Sequence, residues 1–394
     1  MFASIRRKIS AIKDSDPQLL DLVAMYLFVK VAFLLVALLR GQLLPFDWPD
    51  YGATLVLDIQ EDILVPFNTW DTQNYLLLSK QGYGVNPMSN AFYPLYPYLI
   101  RIFTPLFFNK GIIAAYAVAN LISLLVPVYM YKLTHLFATK EQAFRAAVLL
   151  LSFPTAFFMS VAYSESLYLS LCLMVFYYLF TGDMKKASLF CFLLPLARAQ
   201  GLLLIVPIGI LFLQAFFSQK GDAGVNRMHA AGALLLPALS TLLGMGAYFV
   251  FCRWQLGGFL AGLEAQKLYV ANNSLGNLLS PFHWFLDNFI NIHLQLHGYT
   301  NSLIDRAAFL LCLPMLFGIY RTQNRAIFAY AALTMLVPAM AGTFMSYTRY
   351  LLVVFPLFIY LGIRFPKSMY YLAPPMFALQ VLFYLMHTGG YWVA

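Results

Sequence analysis

Charged residues are scarce in this sequence. Only 10% of its 394 residues are Asp, Glu, Lys or Arg, whereas 61% are hydrophobic. In a soluble domain, about a quarter of the residues are charged. A water-soluble fold of this sequence would expose much of its apolar surface to water. The composition therefore argues against soluble domains and predicts one polytopic membrane domain over residues 1–394.

Basic runs and paired cysteines are also missing. The net charge is +9, but the Lys and Arg residues stand singly between apolar runs, so nucleic-acid binding is not predicted. His293 and His297 have the spacing of a zinc pair on a helix, yet no third ligand is evident nearby, and we predict neither a metal nor a cofactor. The cysteines make no CxxC pair and are expected to be small core residues: Cys172, Cys191, Cys252 and Cys312.

Long apolar runs fill most of the chain. A spanning helix needs about 20 mostly apolar residues, and no internal repeat suggests the inverted halves of a transporter. Residues 40–110 and 252–303 mix aromatic, proline and polar residues, and we expect them to be outer loops that carry interfacial helices. The remainder predicts an all-α bundle of about eleven transmembrane helices, near 20–39, 111–135, 143–160, 166–181, 187–198, 201–217, 230–251, 304–320, 326–343, 348–363 and 370–387.

The distribution of basic residues predicts the orientation. Short cytoplasmic connections are rich in Lys and Arg, which puts the N-terminus and the turns near residues 140, 185, 220, 321 and 364 in the cytoplasm. Both long stretches then lie outside, with most of the acidic residues. This arrangement collects five charged side chains at the outer ends of spans: Asp71, Glu165, Arg198, Lys267 and Arg349.

Each of these charges has a structural and a functional interpretation. Residues 70–80 are expected to form an interfacial helix with Trp70, Tyr75 and Leu78 facing lipid. Asp71 would either cap that helix or act as a general base. Likewise, Ser164 and Glu165 suit the first turn of the next span.

The arginines are equally ambiguous when taken one at a time. Arg198 and Arg349 would each snorkel to head groups if they acted alone. However, charges at membrane depth are costly and usually serve a site. Several that converge on one face with a carboxylate favour a functional site.

Six segments resemble the PIG-V family, the second mannosyltransferase of GPI-anchor assembly and its prokaryotic relatives. They run in the family's order from about residue 65 to 360. Two positions depart from the family's usual residues: Asn74 and the RAQG sequence after residue 197. The matching segments are WD at 70–71 with Tyr75 and GYG at 82–84, AFYPLYP at 91–97, AYSESLYL at 162–169, RAQGLL at 198–203, EAQK at 264–267 and TRYLLVVFPLF at 348–358.

This resemblance implies a GT-C glycosyltransferase fold. It implies transfer of a hexose, usually mannose, from a polyprenyl phosphate to a glycan, glycolipid or protein acceptor on the outer or lumenal face. Asp71 matches the family's first-loop carboxylate and is the expected catalytic base, and Arg198, Lys267 and Arg349 are expected at the donor phosphate. The expected substrate-binding residues are Trp70, Tyr75, Tyr93, Tyr96, Tyr163, Glu165, Gln200, Gln266 and Tyr347.

Two alternatives stay open at this point. A single base predicts inversion at the anomeric carbon, whereas retention needs a second carboxylate about 5 Å away, for which Glu165 is the obvious residue. A polytopic transporter or flippase for a lipid-linked or anionic substrate would share the span count, but it should carry charges in mid-span, and here the charges lie at span ends. We expect a prokaryotic cell membrane, or the endoplasmic reticulum in a eukaryote.

Overall fold

The computed structural model describes residues 16–43, 62–217, 224–269, 275–290, 296, 298 and 302–393, and within them the regular structure is helical. The α-helices are α1 Pro17–Leu43, α2 Asp71–Gln81, α3 Leu95–Phe103, α4 Gly111–Ser123, α5 Leu125–His135, α6 Lys140–Leu151, α7 Glu165–Thr181, α8 Met184–Ala197, α9 Ile205–Phe216, α10 Gly224–Leu256, α11 Ala261–Ala265, α12 Pro281–Phe285, α13 Leu303–Cys312, α14 Met315–Thr322, α15 Arg325–Ala341, α16 Tyr347–Leu352, α17 Phe355–Arg364 and α18 Ser368–Thr388. Short 3-10 or π segments connect several of them.

Six of the described stretches are long and apolar enough to cross a membrane, which confirms the all-helical membrane class. They are Pro17–Arg40, Gly111–His135, Ala199–Phe216, Met228–Leu256, Leu303–Thr322 and Ser368–Thr388. The count of eleven spans stays a prediction, because some predicted spans correspond to shorter helices. In particular, the predicted span 143–160 is divided, since α6 ends at Leu151 and Pro154 begins a separate 3-10 segment. A proline cannot donate the backbone hydrogen bond that would continue the helix.

Helix α7 lies at the centre of the bundle. Almost every residue from Glu165 to Phe180 is buried, which is typical of a helix that is apolar on all sides. Its neighbours are α4, α5 and α8. Among the described helices, this largely buried helix begins with a carboxylate, Glu165.

Most residues of helix α2 are buried within the protein. The prediction that Tyr75 and Leu78 face lipid is therefore wrong. Tyr75 is 4% exposed and Leu78 is 3% exposed, and neither faces lipid. The helix packs against α3 and α4, and the Tyr75 ring meets the ring of Tyr96 edge-on at 4.9 Å. These long-range contacts decide the burial of α2, and the local pattern of apolar residues does not reveal them.

Helix α1 connects the two ends of the bundle. Beside its start, Asp16 pairs with Lys140 at 2.9 Å, at the end that carries the basic turns. Near its other end, Arg40 reaches the carbonyl of Leu385 in the last turn of α18. The cluster of charges described below lies at this second end, near α18.

Lys30 is a buried lysine in the middle of α1, which contradicts the prediction that residues of the charged types lie only at span ends. Its Nζ donates to the carbonyl of Met159 at 2.5 Å and to Ser160 Oγ at 2.8 Å. Asn120 donates to the carbonyl of Ser160 at 3.2 Å. Both side chains therefore hold the segment that leads directly to Glu165.

The predicted orientation can be tested with single cysteines in a cysteine-free background. Gln81 and Lys185 are both exposed, and the charge bias puts residue 81 outside and residue 185 in the cytoplasm. In intact cells, an impermeant maleimide should label Gln81→Cys, and it should label Lys185→Cys only after the membrane is opened. Labelling of both positions from one side would contradict the orientation.

Candidate active site

Four charged side chains meet at one end of the bundle, although they are far apart in the sequence. Asp71 is the first residue of α2 and Glu165 the first residue of α7. Arg198 directly follows α8, and Arg349 lies in the short helix α16. Two helix starts, one helix end and one short helix thus bring two carboxylates and two guanidiniums together. We call these four residues the charge cluster.

Arg349 binds both carboxylates of the charge cluster. Its Nη1 donates to Asp71 Oδ2 at 2.8 Å, and its Nε donates to Glu165 Oε1. Arg198 Nη2 donates to the same Glu165 oxygen. Arg349 is therefore the common partner of Asp71 and Glu165, and Glu165 is the common partner of the two arginines.

The members of the charge cluster differ in exposure. The side chain of Glu165 is 0% exposed, whereas those of Arg349, Arg198 and Asp71 are 10%, 14% and 22% exposed. Two acids and two bases balance in formal charge, and only such pairing makes the burial of ions tolerable. Asp71 is the member most open to a ligand.

Capping does not explain either carboxylate or its neighbours. The N-cap of α2 is Trp70, which makes no side-chain capping bond, and the Asp71 carboxylate is bound to Arg349. Ser164 occupies the N-cap position of α7 without capping it. Its Oγ instead accepts from Tyr75 OH at 2.8 Å and from Arg198 Nε at 3.1 Å. The capping interpretation is wrong at both helix starts.

Aromatic rings enclose the Arg349 guanidinium. It lies 4.6 Å from the ring centroid of Tyr163 and 4.9 Å from that of Phe158. Cations are attracted to the faces of such rings, most strongly where water is excluded. The Tyr163 hydroxyl also accepts a hydrogen bond from the backbone N–H of Asp71 at 3.1 Å. Tyr163 thus contacts both partners of the Arg349–Asp71 pair.

Three of the predicted substrate-binding tyrosines use their hydroxyls within the protein. Tyr75 donates to Ser164 as described, Tyr96 donates to the carbonyl of Ala115, and Tyr347 donates to the carbonyl of Met335. These bonds tie the surrounding helices together. The substrate role of the three tyrosines remains a prediction.

The predicted residues Tyr93, Gln200, Gln266 and Lys267 make no side-chain hydrogen bond or ion pair with the charge cluster in the described part of the chain. Tyr93 stacks on Tyr248, with ring centroids 4.4 Å apart. Gln200 lies in the 3-10 segment after Arg198, and its buried Oε1 has no hydrogen-bond partner among the described residues. Gln266 and Lys267 share another 3-10 segment. Lys267 is exposed and, in the described part of the chain, makes no hydrogen bond or ion pair with the charge cluster.

Two residues near the charge cluster were missed by the sequence analysis. His387 is buried near the end of α18, with Nε2 3.0 Å from Thr69 Oγ1. Asp305 is fully buried, and its Oδ1 accepts from the backbone N–H of Thr348, which precedes Arg349. A polar residue in an apolar run is the signal that could have identified His387.

Metal ligation finds no support in the described residues, which contain no group of three His, Cys, Asp or Glu side chains able to hold an ion. His293 and His297 lie outside the described residues. All four cysteines are free, and all but Cys312 are buried.

One protein-family model matches the part of the chain that contains three of the four residues of the charge cluster. The family model described as Mannosyltransferase (PIG-V) matches residues 22–256. The chain belongs to the PIG-V mannosyltransferase family. This confirms the resemblance drawn from the motifs. The matched region contains Asp71, Glu165 and Arg198, whereas Arg349 lies beyond it.

Solved structures with a similar arrangement include the oligosaccharyltransferase of Archaeoglobus fulgidus. Its form tethered to an acceptor peptide with an NVT sequon has a TM-score of 0.43 and 13% identity over 92% of this chain. Its complex AglB with an inhibitory peptide and a dolichol-phosphate has a TM-score of 0.43 and 14% identity, also over 92% of this chain. This chain covers 55% of the length of each. A comparison with curated protein sequences finds no match.

The charge cluster predicts a large loss of stability for Glu165→Gln. The amide removes the carboxylate that Arg198 and Arg349 share and leaves Arg349 with Asp71 alone, and breaking a buried pair in this way costs about 3–5 kcal/mol. Asp183→Asn is the matched control, because Asp183 caps α8 and pairs with Lys186 at the surface. Asparagine caps as well as aspartate, and an exposed pair contributes about 0–1 kcal/mol. Thermal unfolding in detergent should separate the two variants, and equal melting temperatures would contradict the structural role of Glu165.

Proposed function

We propose that the protein transfers a hexose, with mannose the expected sugar, from a polyprenyl phosphate to an acceptor hydroxyl with inversion at the anomeric carbon. One observation carries this proposal. The charge cluster holds two carboxylates on one arginine, and only Asp71 is open to a ligand, with 22% of its side chain exposed.

Asp71 is suited to the role of general base. Arg349 occupies Oδ2, while Oδ1 accepts no hydrogen bond from any residue in the described part of the chain. That oxygen can receive the proton of an acceptor hydroxyl within hydrogen-bond reach. In this reaction the acceptor oxygen forms a bond to the anomeric carbon, the bond from that carbon to the phosphate oxygen breaks, and the electron pair leaves with the phosphate.

Glu165 is poorly suited to a second catalytic role. A retaining reaction needs a carboxylate that attacks the anomeric carbon. Glu165 is fully buried, and both arginines donate to its Oε1. A carboxylate bound in this way is a weak nucleophile that substrate does not reach. Direct displacement, assisted by Asp71 alone, is therefore the mechanism that we propose.

The arginines can also stabilise the leaving phosphate. Arg198 Nη1 is buried and has no hydrogen-bond partner among the described residues, and Arg349 Nη2 makes no hydrogen bond with them. Charge-assisted bonds to phosphate are strong, especially in a site that excludes water. Lys267 is exposed in the 3-10 segment Gln266–Leu268, and we expect it to contact the donor phosphate from the side of solvent.

The rest of the assignment follows from the membrane setting. The lipid tail of the donor stays in the bilayer while its phosphosugar reaches the charge cluster. The acceptor is a glycan, glycolipid or protein on the extracytoplasmic or lumenal side, and no cofactor is expected. The transporter alternative gains little from Lys30, because its mid-span Nζ is already bound to the carbonyl of Met159 and to Ser160.

Asp71→Asn is the direct test of the base. Asparagine keeps the size of the side chain and can still accept from Arg349, but it cannot take a proton at neutral pH. Transfer from a labelled polyprenyl-phosphate hexose to a lipid extract should fall by at least about 100-fold, and the melting temperature should fall less than in Glu165→Gln, because Arg349 keeps Glu165 as its partner and Asp71 is partly exposed. Asp183→Asn should transfer normally, whereas near-normal transfer by Asp71→Asn would rule out Asp71 as the base.

Lys267→Ala tests the phosphate contact without disturbing the ion pairs. Loss of a charge-assisted contact of about 2 kcal/mol should raise the KM for the donor by more than 10-fold. Lys185→Ala removes an exposed lysine from the first turn of α8 and should leave the KM unchanged. An unchanged donor KM in Lys267→Ala would remove this residue from the phosphate site.

A further inference from the structure

The backbone immediately before the proposed base adopts an unusual conformation. Trp70 has φ 50° and ψ −120°. Residues with a Cβ rarely adopt positive φ, and such conformations persist only where surrounding contacts hold them. The Trp70 turn, which we define as residues 69–71, therefore needs fixed partners on both sides.

Buried hydrogen bonds hold both ends of the Trp70 turn. On one side, Thr69 Oγ1 and His387 Nε2 are 3.0 Å apart, and each residue is only 2% exposed. On the other side, the backbone N–H of Asp71 donates to Tyr163 OH at 3.1 Å. Neither bond involves the Asp71 carboxylate, so both act on its position and leave its oxygens available.

His387 connects the two sides of the turn. Its ring contacts that of Tyr163 edge-on, with centroids 5.5 Å apart, and it also packs against Phe157 and Phe158. Tyr163 and Phe158 are the rings that enclose Arg349. The imidazole therefore packs between the Trp70 turn and the rings of Phe158 and Tyr163.

The end of the chain covers the same turn. Trp70 Nε1 donates to the carbonyl of Tyr391 at 3.2 Å, and the Trp70 ring meets that of Trp392 edge-on at 5.1 Å. His387, Tyr391 and Trp392 all lie beyond residue 256, where the match to the family model ends. The C-terminal segment 387–392 is therefore part of the site's support.

We propose that Thr69 and His387 are positioning residues, whose buried hydrogen bond holds the strained Trp70 turn so that the Asp71 carboxylate faces the acceptor hydroxyl. This inference rests on the proposed function, in which Asp71 is the base. Without the bond, the Trp70 backbone is free to relax, and the first residue of α2 moves with it. A misplacement of about 1 Å can cost about 100-fold in rate.

The effect should appear in kcat and not in donor binding. In the described part of the chain, neither Thr69 nor His387 forms a hydrogen bond with Arg198, Arg349 or Lys267. Removing the Thr69–His387 bond should therefore leave the proposed donor contacts unchanged. Thr69→Val replaces the hydroxyl with a methyl of similar size, and His387→Phe keeps an aromatic ring without the nitrogen. Each should lower kcat by about 10-fold or more, with the donor KM within about 2-fold of the parent.

Two comparisons distinguish positioning from a general loss of stability. Thr69→Ser keeps the hydroxyl and should restore kcat. Tyr384→Phe removes a buried hydrogen bond to the carbonyl of Phe33 from the same helix, one turn before His387, and should lower the melting temperature without changing kcat. The double variant Thr69→Val/His387→Phe should be no slower than the slower single variant, because both changes remove one shared bond.

The outcomes separate this inference from the proposed function. If Asp71→Asn abolishes transfer while Thr69→Val and His387→Phe keep the parental kcat, the positioning role is wrong and the base assignment stands. If Asp71→Asn transfers normally, the base assignment fails, and with it the reason for positioning. Additive losses in the double variant, or a kcat of Thr69→Ser as low as that of Thr69→Val, would also overturn the inference.

Discussion

Arg349 is the side chain on which the arrangement of the site depends, because it binds Asp71 and Glu165 at once. Two carboxylates at the end of an apolar bundle would repel each other and would be costly to bury. One guanidinium with planar, directed donors satisfies both, and Arg198 supplies the second positive charge. The two acids bound by Arg349 are nevertheless unequal: the side chain of Glu165 is fully buried, whereas that of Asp71 is 22% exposed. A fully buried acid and a partly exposed acid thus share one ion-pair network.

A second set of polar residues keeps this network in place. Lys30 and Asn120 hold the segment before Tyr163 and Glu165, Asp305 holds the backbone before Arg349, and His387 holds the turn before Asp71. Each acts on main chain or on a neighbour of a cluster member. Buried polar contacts of this kind are directional, so they define a geometry that apolar packing alone would leave loose. They also explain why helices from the start and the end of the chain converge on one site.

The sequence predicts the class of the protein and the residues of the charge cluster better than it predicts the residues that hold this cluster in place. Long apolar runs revealed the helical membrane fold, and motif order led to the correct family. The side of the membrane was inferred from Lys and Arg alone and stays a prediction. Burial of Tyr75 and Leu78 was not predictable, because α3 and α4 cover α2 through contacts that no local period encodes. Lys30 was missed since a single lysine does not interrupt an apolar run, and the pairing of Asp71 with Arg349 spans 278 positions of the chain.

The central claim is that one carboxylate is available for chemistry and the other is not. The configuration of the product reports on this directly, because single displacement inverts the anomeric carbon and a glycosyl-enzyme intermediate retains it. The measurement is the one-bond carbon–proton coupling at the anomeric position of a product made from a β-linked polyprenyl-phosphate hexose. The arrangement around Arg349 predicts an α-linked product. A β-linked product would mean that Glu165, or another carboxylate, attacks the sugar, and it would contradict the account.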